Sequence, residues 1–174
     1  PYGLESQIYN YLPAASGVAV SPDGQTLYAV SYSTNKLWAF NTADNTLKVP
    51  GNPDLSSWNL IGQRPTKIAV ASDGYVYVAV GANEWGDSNY GHVEYIAPTG
   101  GSVKRIDLAL KDPQGITTNA DGTYIYVADA GSNQLSIIPF DAIREEDTFS
   151  LQRLPWFAAT AYPVVLALPA PPVG

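Results

Sequence analysis

Three segments of the chain share one pattern, in which two short apolar runs flank an Asp-Gly pair. The pairs begin at residues 23, 73 and 121, a spacing of 50 and then 48 residues. Asp-Gly between two apolar runs favours a tight hairpin, because Gly adopts a positive φ without steric cost. Each segment is therefore predicted to form two antiparallel strands, at residues 17–20 and 27–30, 67–71 and 76–80, and 115–118 and 125–128.

Two further strands are predicted after each hairpin. A loop rich in Asn, Ser and Gly leads to a third strand at residues 36–41, 92–97 and 134–140. A fourth, weaker strand follows. In the first unit it is either 46–49 or 59–62, and in the other units it is 103–108 and 148–154.

Repetition of a four-stranded antiparallel unit predicts an all-β fold of the β-propeller type. We assign residues 1–174 to one partial domain, with blades at 13–62, 63–110 and 111–160 and a further blade that starts in 161–174. Residues 7–12 are predicted to be the outer strand of an earlier blade. Residues 163–168 align with 65–70 and are predicted to be the inner strand of the further blade.

The number of predicted blades is smaller than a closed ring needs. Propellers have about four to eight blades, and we expect this one to have six to eight. Three complete blades with one extra strand at each end leave the ring incomplete. We therefore expect the missing blades to come from the same polypeptide or from another subunit.

Composition narrows the classes of function. The net charge is −7 with a pI near 4.4, which disfavours binding to nucleic acid. The absence of Cys excludes disulfides and thiolate chemistry, and no apolar run is long enough to span a membrane. Only 14% of residues are charged, and Tyr is abundant. This composition is typical of secreted or cell-envelope β-proteins, so we expect an extracellular or envelope location.

The repeat resembles that of the YVTN-type and lactonase-like propellers. Residues 20–30 (VSPDGQTLYAV) and 124–138 (YIYVADAGSNQLSII) carry the resemblance. It implies the propeller fold but no single function, since similar blades occur in surface-layer proteins, sugar-lactone hydrolases, quinoprotein subunits and binding scaffolds. The lactonase-like relatives place acidic and amide residues around the channel mouth, where the resemblance puts Asp129 and Asn133.

The loop at residues 81–91 is the strongest candidate for a binding site. It is longer than its counterparts and carries two carboxylates, two aromatic rings and two amides, on Asn83, Glu84, Trp85, Asp87, Asn89 and Tyr90. Carboxylate and amide oxygens are ligands that Ca²⁺ prefers, and aromatic rings can stack on a sugar or anchor a partner. The alternative is a loop whose polar groups face water, since the spacing lacks the order of an EF-hand.

Three other candidates have competing structural interpretations. His92, the single histidine, follows this loop, and we expect it at the surface or at a strand edge. Asp129 and Asn133 lie in the loop after the second strand of the third unit. Asp and Asn also favour tight turns through local hydrogen bonds, which is the alternative to a ligand role.

These observations favour a non-catalytic scaffold that binds a protein, glycan or surface component through its loops. No catalytic residue, metal ligand or cofactor is assigned, and Ca²⁺ is the only cofactor candidate. A first alternative is a lactonase-like hydrolase that uses Glu84, Asp87, Asp129 and Asn133, with or without Ca²⁺. A second is a structural repeat that assembles edge to edge through unpaired strands.

Overall fold

The computed structural model describes residues 13–48, 57–82 and 91–139, and these residues form eleven strands in three antiparallel sheets with no helix. In each sheet the strands are hydrogen-bonded in chain order. The first sheet contains β1 (Ala15–Val20), β2 (Thr26–Ser31), β3 (Lys36–Asn41) and β4 (Ser57–Asn59). The second contains β5 (Pro65–Val70), β6 (Val76–Val80), β7 (Gly91–Ile96) and β8 (Lys104–Leu110). The third contains β9 (Pro113–Thr118), β10 (Tyr124–Asp129) and β11 (Gln134–Pro139). The predicted all-β class is confirmed.

The Asp-Gly turn is built in the same way in all three sheets. The carboxylate of each Asp accepts a hydrogen bond from the backbone N–H two residues later, and each Gly has a positive φ near 70–90°. The carboxylate bonds run from Gln25 to Asp23, from Tyr75 to Asp73 and from Thr123 to Asp121, at 2.9, 3.2 and 3.0 Å. The predicted hairpins are therefore confirmed, and these aspartates serve the turns.

The fourth strand of the first sheet is β4, which lies two residues earlier than the predicted 59–62 and shares only Asn59 with it, while part of the other predicted segment, 46–49, also pairs with β3. Residues 57–59 pair with the first half of β3, from Lys36 to Trp38. Leu47 forms an isolated bridge with Phe40 in the second half, and the Lys48 N–H donates to the Ala39 carbonyl at 2.6 Å. Two short segments thus share one strand edge. The strands predicted at 7–12, 148–154 and 163–168 lie outside the described residues.

The sheets pack face to face, with an apolar core between each neighbouring pair. Tyr28, Val30 and Leu37 of the first sheet contact the layer of the second sheet that contains Ile68 and Val78. The opposite face of the second sheet packs against the third in the same manner, through Tyr77, Val93, Ile106, Ile125 and Val127. Side chains alternate between the two faces of a strand, so the middle sheet is apolar on both faces.

Hydroxyl groups link the first strands of neighbouring sheets. Ser16 on β1 donates to the Pro65 carbonyl at 2.6 Å, and Thr66 on β5 donates to the Pro113 carbonyl at 2.6 Å. Ser16 and Thr66 occupy equivalent positions of the repeat, as do Pro65 and Pro113. The same joint therefore occurs twice, and it sets the first strands side by side.

No part of the chain that the structure describes contains a helix with the length and apolar character needed to cross a membrane.

Candidate functional site

The candidate site lies at the end of the sheets where the loop after each second strand meets the connection that enters the same sheet. One backbone hydrogen bond fixes this meeting in every sheet. Tyr32 N–H donates to Ala14, Gly81 N–H donates to Arg64, and Ala130 N–H donates to Asp112, at 3.0, 2.9 and 2.9 Å between N and O. In each sheet the first residue after the second strand is thereby placed beside the last residue of the connection that enters that sheet.

Most of the loop that the sequence singles out lies outside the described residues. This applies to Asn83, Glu84, Trp85, Asp87, Asn89 and Tyr90. The flanking residues are described: Gly81 and Ala82 continue from β6, and Gly91 begins β7. The loop therefore starts and finishes at the end of the second sheet that carries the candidate site.

His92 and Glu94 form a buried pair on β7. The Nε2 atom of His92 lies 2.8 Å from Oε1 of Glu94, and the two residues are 2% and 0% exposed. The Glu94 carboxylate also accepts the backbone N–H groups of Ile61 and Gly62, at 2.9 and 2.5 Å. Glu94 thus ties the connection from the first sheet to the middle of the second sheet.

The expectation that His92 lies at the surface or at a strand edge is wrong, because His92 is buried on β7, which pairs with β6 and β8 on its two sides. His92 shares a strand face with Glu94 and Ile96, and this face points toward the first sheet. Gly62 lies directly against the imidazole, because a Cβ built on Gly62 would be 2.5 Å from Cε1 of His92. The absence of a side chain at Gly62 therefore allows the backbone to cover the ring. Nδ1 of His92 is buried and has no hydrogen-bond partner in the described structure.

Asp129, at the end of β10, binds the backbone of a connection as Glu94 does. Its carboxylate accepts the backbone N–H groups of Lys111 and Asp112, at 2.9 and 2.6 Å, and the hydroxyl of Ser132 at 2.6 Å. Burial alone would raise the pKa of Asp129, but these hydrogen bonds and one from Gly131 outweigh it and lower the pKa below its usual value. Asp129 thus holds the connection that enters the third sheet.

Asn133 is an exposed turn residue with a left-handed backbone. Its φ is 55°, and Asn35, at the equivalent place in the first sheet, has a φ of 53°. Asn tolerates this conformation better than most residues with a side chain. The turn interpretation of Asn133 therefore has a direct structural basis.

Arg64 and Tyr32 lie next to the long loop. The Arg64 guanidinium stacks over the Tyr32 ring at 5.9 Å from its centroid, and Nη1 donates to the Ala82 carbonyl at 2.8 Å. The Arg64 backbone N–H donates to Oδ1 of Asn35 at 3.2 Å. Tyr32 is 43% exposed, so this pair presents a cation and an aromatic face beside the start of the loop.

Sequence reasoning missed Glu94 and Arg64. The signal for Glu94 is a carboxylate in phase with Ile96 on the inward face of an apolar strand, where a charge requires internal partners. The equivalent positions in the other sheets hold Trp38 and Ser136, so the repeat itself does not reveal Glu94. Within the described ranges, no group of three or more His, Cys, Asp or Glu side chains is arranged to hold a metal ion.

Comparison with known proteins yields a likeness of fold alone. No protein-family model matches the chain, and no curated protein matches it. Among the solved structures, Kuenenia stuttgartiensis hydrazine synthase is similar, with a TM-score of 0.59 and 23% sequence identity. The match covers 81% of this chain and 37% of that one, so the chain spans well under half of its structural neighbour.

Proposed function

We propose that the three sheets are consecutive blades of a β-propeller of the YVTN and lactonase-like type, and that the protein is a non-catalytic binding scaffold. The equivalent turns, strand orders and hydroxyl joints of the sheets support the propeller, because blades repeat one four-stranded unit around an axis. In this arrangement β1, β5 and β9 are the inner strands. The third blade is completed by residues 148–154.

The proposal of a non-catalytic scaffold rests on the partners of the two buried carboxylates. Glu94 and Asp129 each accept two successive backbone N–H groups from the connection that enters their sheet. His92 is covered by Gly62 and paired with Glu94. A general base must reach a proton of the substrate, whereas these groups are buried and engaged within the fold. They serve the architecture, and binding is left to the loops.

The binding surface is formed by the loop at 83–90 together with Tyr32 and Arg64. Trp85 and Tyr90 supply aromatic rings, and the carboxylates and amides of the loop supply polar contacts to a glycan or a protein. An extracellular or cell-envelope location fits a sequence with no Cys, few charges and many Tyr residues. Further blades from the same polypeptide or a partner complete the ring.

Replacement of both loop aromatics tests the scaffold proposal. In the Trp85→Ala, Tyr90→Ala double variant, we expect binding to a glycan array to weaken at least tenfold, since each aromatic anchor contributes about 1–2 kcal/mol or more. The melting temperature should stay the same. Tyr124→Ala, which removes an exposed ring beside the Asp121-Gly122 turn, is the matched control. Equal binding by the double variant and the control would refute the assignment of the loop.

A lactonase-like hydrolase is the competing proposal, with Glu84, Asp87, Asp129 and Asn133 at the channel mouth. Turnover of a simple sugar lactone, measured with Ca²⁺ and with EDTA, separates the two proposals. The scaffold predicts no turnover under either condition. Turnover that is lost in Asp87→Asn but retained in Tyr124→Ala would establish the hydrolase instead.

A further inference from the structure

The third sheet exposes an apolar face on the side opposite the second sheet. Leu135 and Ile137 of β11 are 57% and 41% exposed, and Tyr124 of β10 is also exposed. Tyr126 is paired with Ile137, and Ala128 with Leu135, across the β10–β11 ladder. We call the face formed by Tyr126, Ala128, Leu135 and Ile137 the front face of the third sheet.

The same face is buried in the other two sheets. Tyr28, Val30, Leu37 and Ala39 occupy the equivalent positions of the first sheet and pack against the second. Tyr77, Val93 and Tyr95 occupy them in the second sheet and pack against the third. An apolar face that is covered at two successive joints is thus uncovered at the third.

Two equivalent glycines, one on β1 and one on β9, show the same difference between the first and third sheets. A Cβ built on Gly17 of β1 would lie 3.1 Å from the Cα of Lys67 on the next sheet. Among the described residues, a Cβ built on Gly115 of β9 would meet Ala128 of its own sheet, at 3.3 Å. Beside Gly17 lies the first strand of the next sheet, whereas no described strand lies in the equivalent place beside Gly115.

We propose that residues 163–168 of this chain cover the front face of the third sheet, as the first strand of a following sheet. Pro163 aligns with Pro65 and Pro113, which begin β5 and β9. Leu166 and Leu168 then take the places of Ile68 and Val70, which pack against the first sheet. Their side chains bury Tyr126 and Leu135.

The length of the chain between β11 and Pro163 agrees with the docking of residues 163–168. Residues 42–64 connect β3 to β5, and residues 140–162, a stretch of equal length, lead from β11 to Pro163. The inference rests on the proposal that the sheets are consecutive blades. It adds the identity of the segment that forms the next joint.

A disulfide between paired positions tests this docking in a chain that has no cysteine of its own. Gly115 and Val165 are equivalent to Gly17 and Lys67, where a Cβ built on Gly17 lies 3.1 Å from the Lys67 Cα. A disulfide joins residues whose Cα atoms are about 4.4–6.8 Å apart, so it requires such a close approach of two strands. Under mild oxidation, the Gly115→Cys, Val165→Cys variant should form an intramolecular disulfide. The Gly17→Cys, Lys67→Cys variant is the positive control. In the negative control Gly115→Cys is combined with Ala170→Cys, because Ala170 aligns with Ser72, beyond the end of β5.

The possible results of the disulfide experiment distinguish the candidates for the segment that covers the front face. An intramolecular disulfide in the 115/165 variant, absent from the 115/170 control, supports the proposal. A disulfide-linked dimer would show that a second copy occupies the face, and no disulfide beside a positive 17/67 control would show that residues 163–168 do not. Either result overturns the inference. Glycan binding, measured separately, reports on the scaffold proposal.

Thiol labelling provides a second test that does not depend on disulfide geometry. The labelling rate of Ile137→Cys should rise at least fivefold when Leu166→Asp is added, because the charged side chain removes the segment from the face. Addition of Ala170→Asp, which introduces the same charged side chain outside the aligned strand, should leave the labelling rate unchanged. An equal rate with and without Leu166→Asp would overturn the proposal.

Discussion

At the scale of single residues, the main feature is that two buried carboxylates bind backbone rather than solvent. Glu94 receives N–H groups from Ile61 and Gly62, and Asp129 receives them from Lys111 and Asp112. Hydrogen bonds to a charged group contribute about 1.5–3 kcal/mol each, roughly twice the value for neutral pairs. A buried charge without partners would be unfavourable, so these contacts account for the presence of both side chains.

The lowered pKa of Asp129 predicts a pH dependence of stability. Because the folded-state pKa is lower than the unfolded value near 3.8, the ionised form stabilises the fold. That contribution is complete above the unfolded pKa and is lost as pH falls through the folded pKa. We expect the difference in free energy of unfolding between the wild type and Asp129→Asn to be constant near neutral pH and to shrink below about pH 4.

Urea unfolding from pH 2 to pH 7 measures this difference. The lowered pKa values of Asp23, Asp44 and Asp121 affect both proteins equally and cancel. A difference that stays constant over the whole range would show that the ionisation of Asp129 is not coupled to folding.

The sequence predicted turn residues better than it predicted buried polar residues. The partners of Asp23 and of the other turn aspartates lie two residues away, so a local pattern is sufficient. Glu94 takes its partners from a connection more than thirty residues earlier in the chain. His92 was misplaced for the same reason, because the close approach of Gly62 to its ring exists only after two sheets have packed.

At the scale of elements, the repeat places equivalent strands side by side and joins them through equivalent hydroxyls. Thr66 donates its hydroxyl hydrogen to the Pro113 carbonyl across the joint between β5 and β9, at 2.6 Å, and the hydroxyl oxygen also lies 3.1 Å from the Ala79 carbonyl oxygen. Ser16 makes the corresponding bond to Pro65. These bonds satisfy carbonyl groups at the strand edges where two sheets meet.

Removal of the Thr66 hydroxyl should weaken one joint. Thr66→Val keeps the shape of the side chain but leaves the Pro113 carbonyl without this donor, so we expect a loss of about 1 kcal/mol in the free energy of unfolding. Thr117→Val is the matched control on β9, because the Thr117 hydroxyl makes only a long 3.5 Å contact near the surface. Chemical denaturation measures both. A loss as small as that of the control would show that the joint does not depend on the hydroxyl.

Most described strands were predictable from sequence because the Asp-Gly pairs fix the hairpins. The fourth strand of the first sheet was ambiguous for a physical reason. Residues 46–48 and β4 each satisfy part of the edge of β3, so pairing occurs in both regions, although β4 begins two residues before the predicted 59–62. Register across a sheet joint, in contrast, depends on the packing of side chains from distant segments.

At the scale of the whole molecule, three sheets repeat one design, and the residues that join them differ. At the end of the second strand, the first and third sheets have a polar residue, Ser31 or Asp129, whereas the second sheet has Val80 at the equivalent position. In the second sheet the incoming connection is instead bound by Glu94, on the neighbouring strand. Binding of the incoming connection is therefore retained while the residue that provides it changes.

Hydrogen exchange at the two connections is the most direct test of this account. By mass spectrometry, the backbone N–H groups of residues 61–62 and 111–112 should exchange slowly in the wild type, because buried carboxylates accept them. Glu94→Gln should accelerate exchange at 61–62 alone, and Asp129→Asn at 111–112 alone. Rapid exchange at both connections in the wild type, or no response to either substitution, would contradict the claim that these carboxylates hold the sheets together.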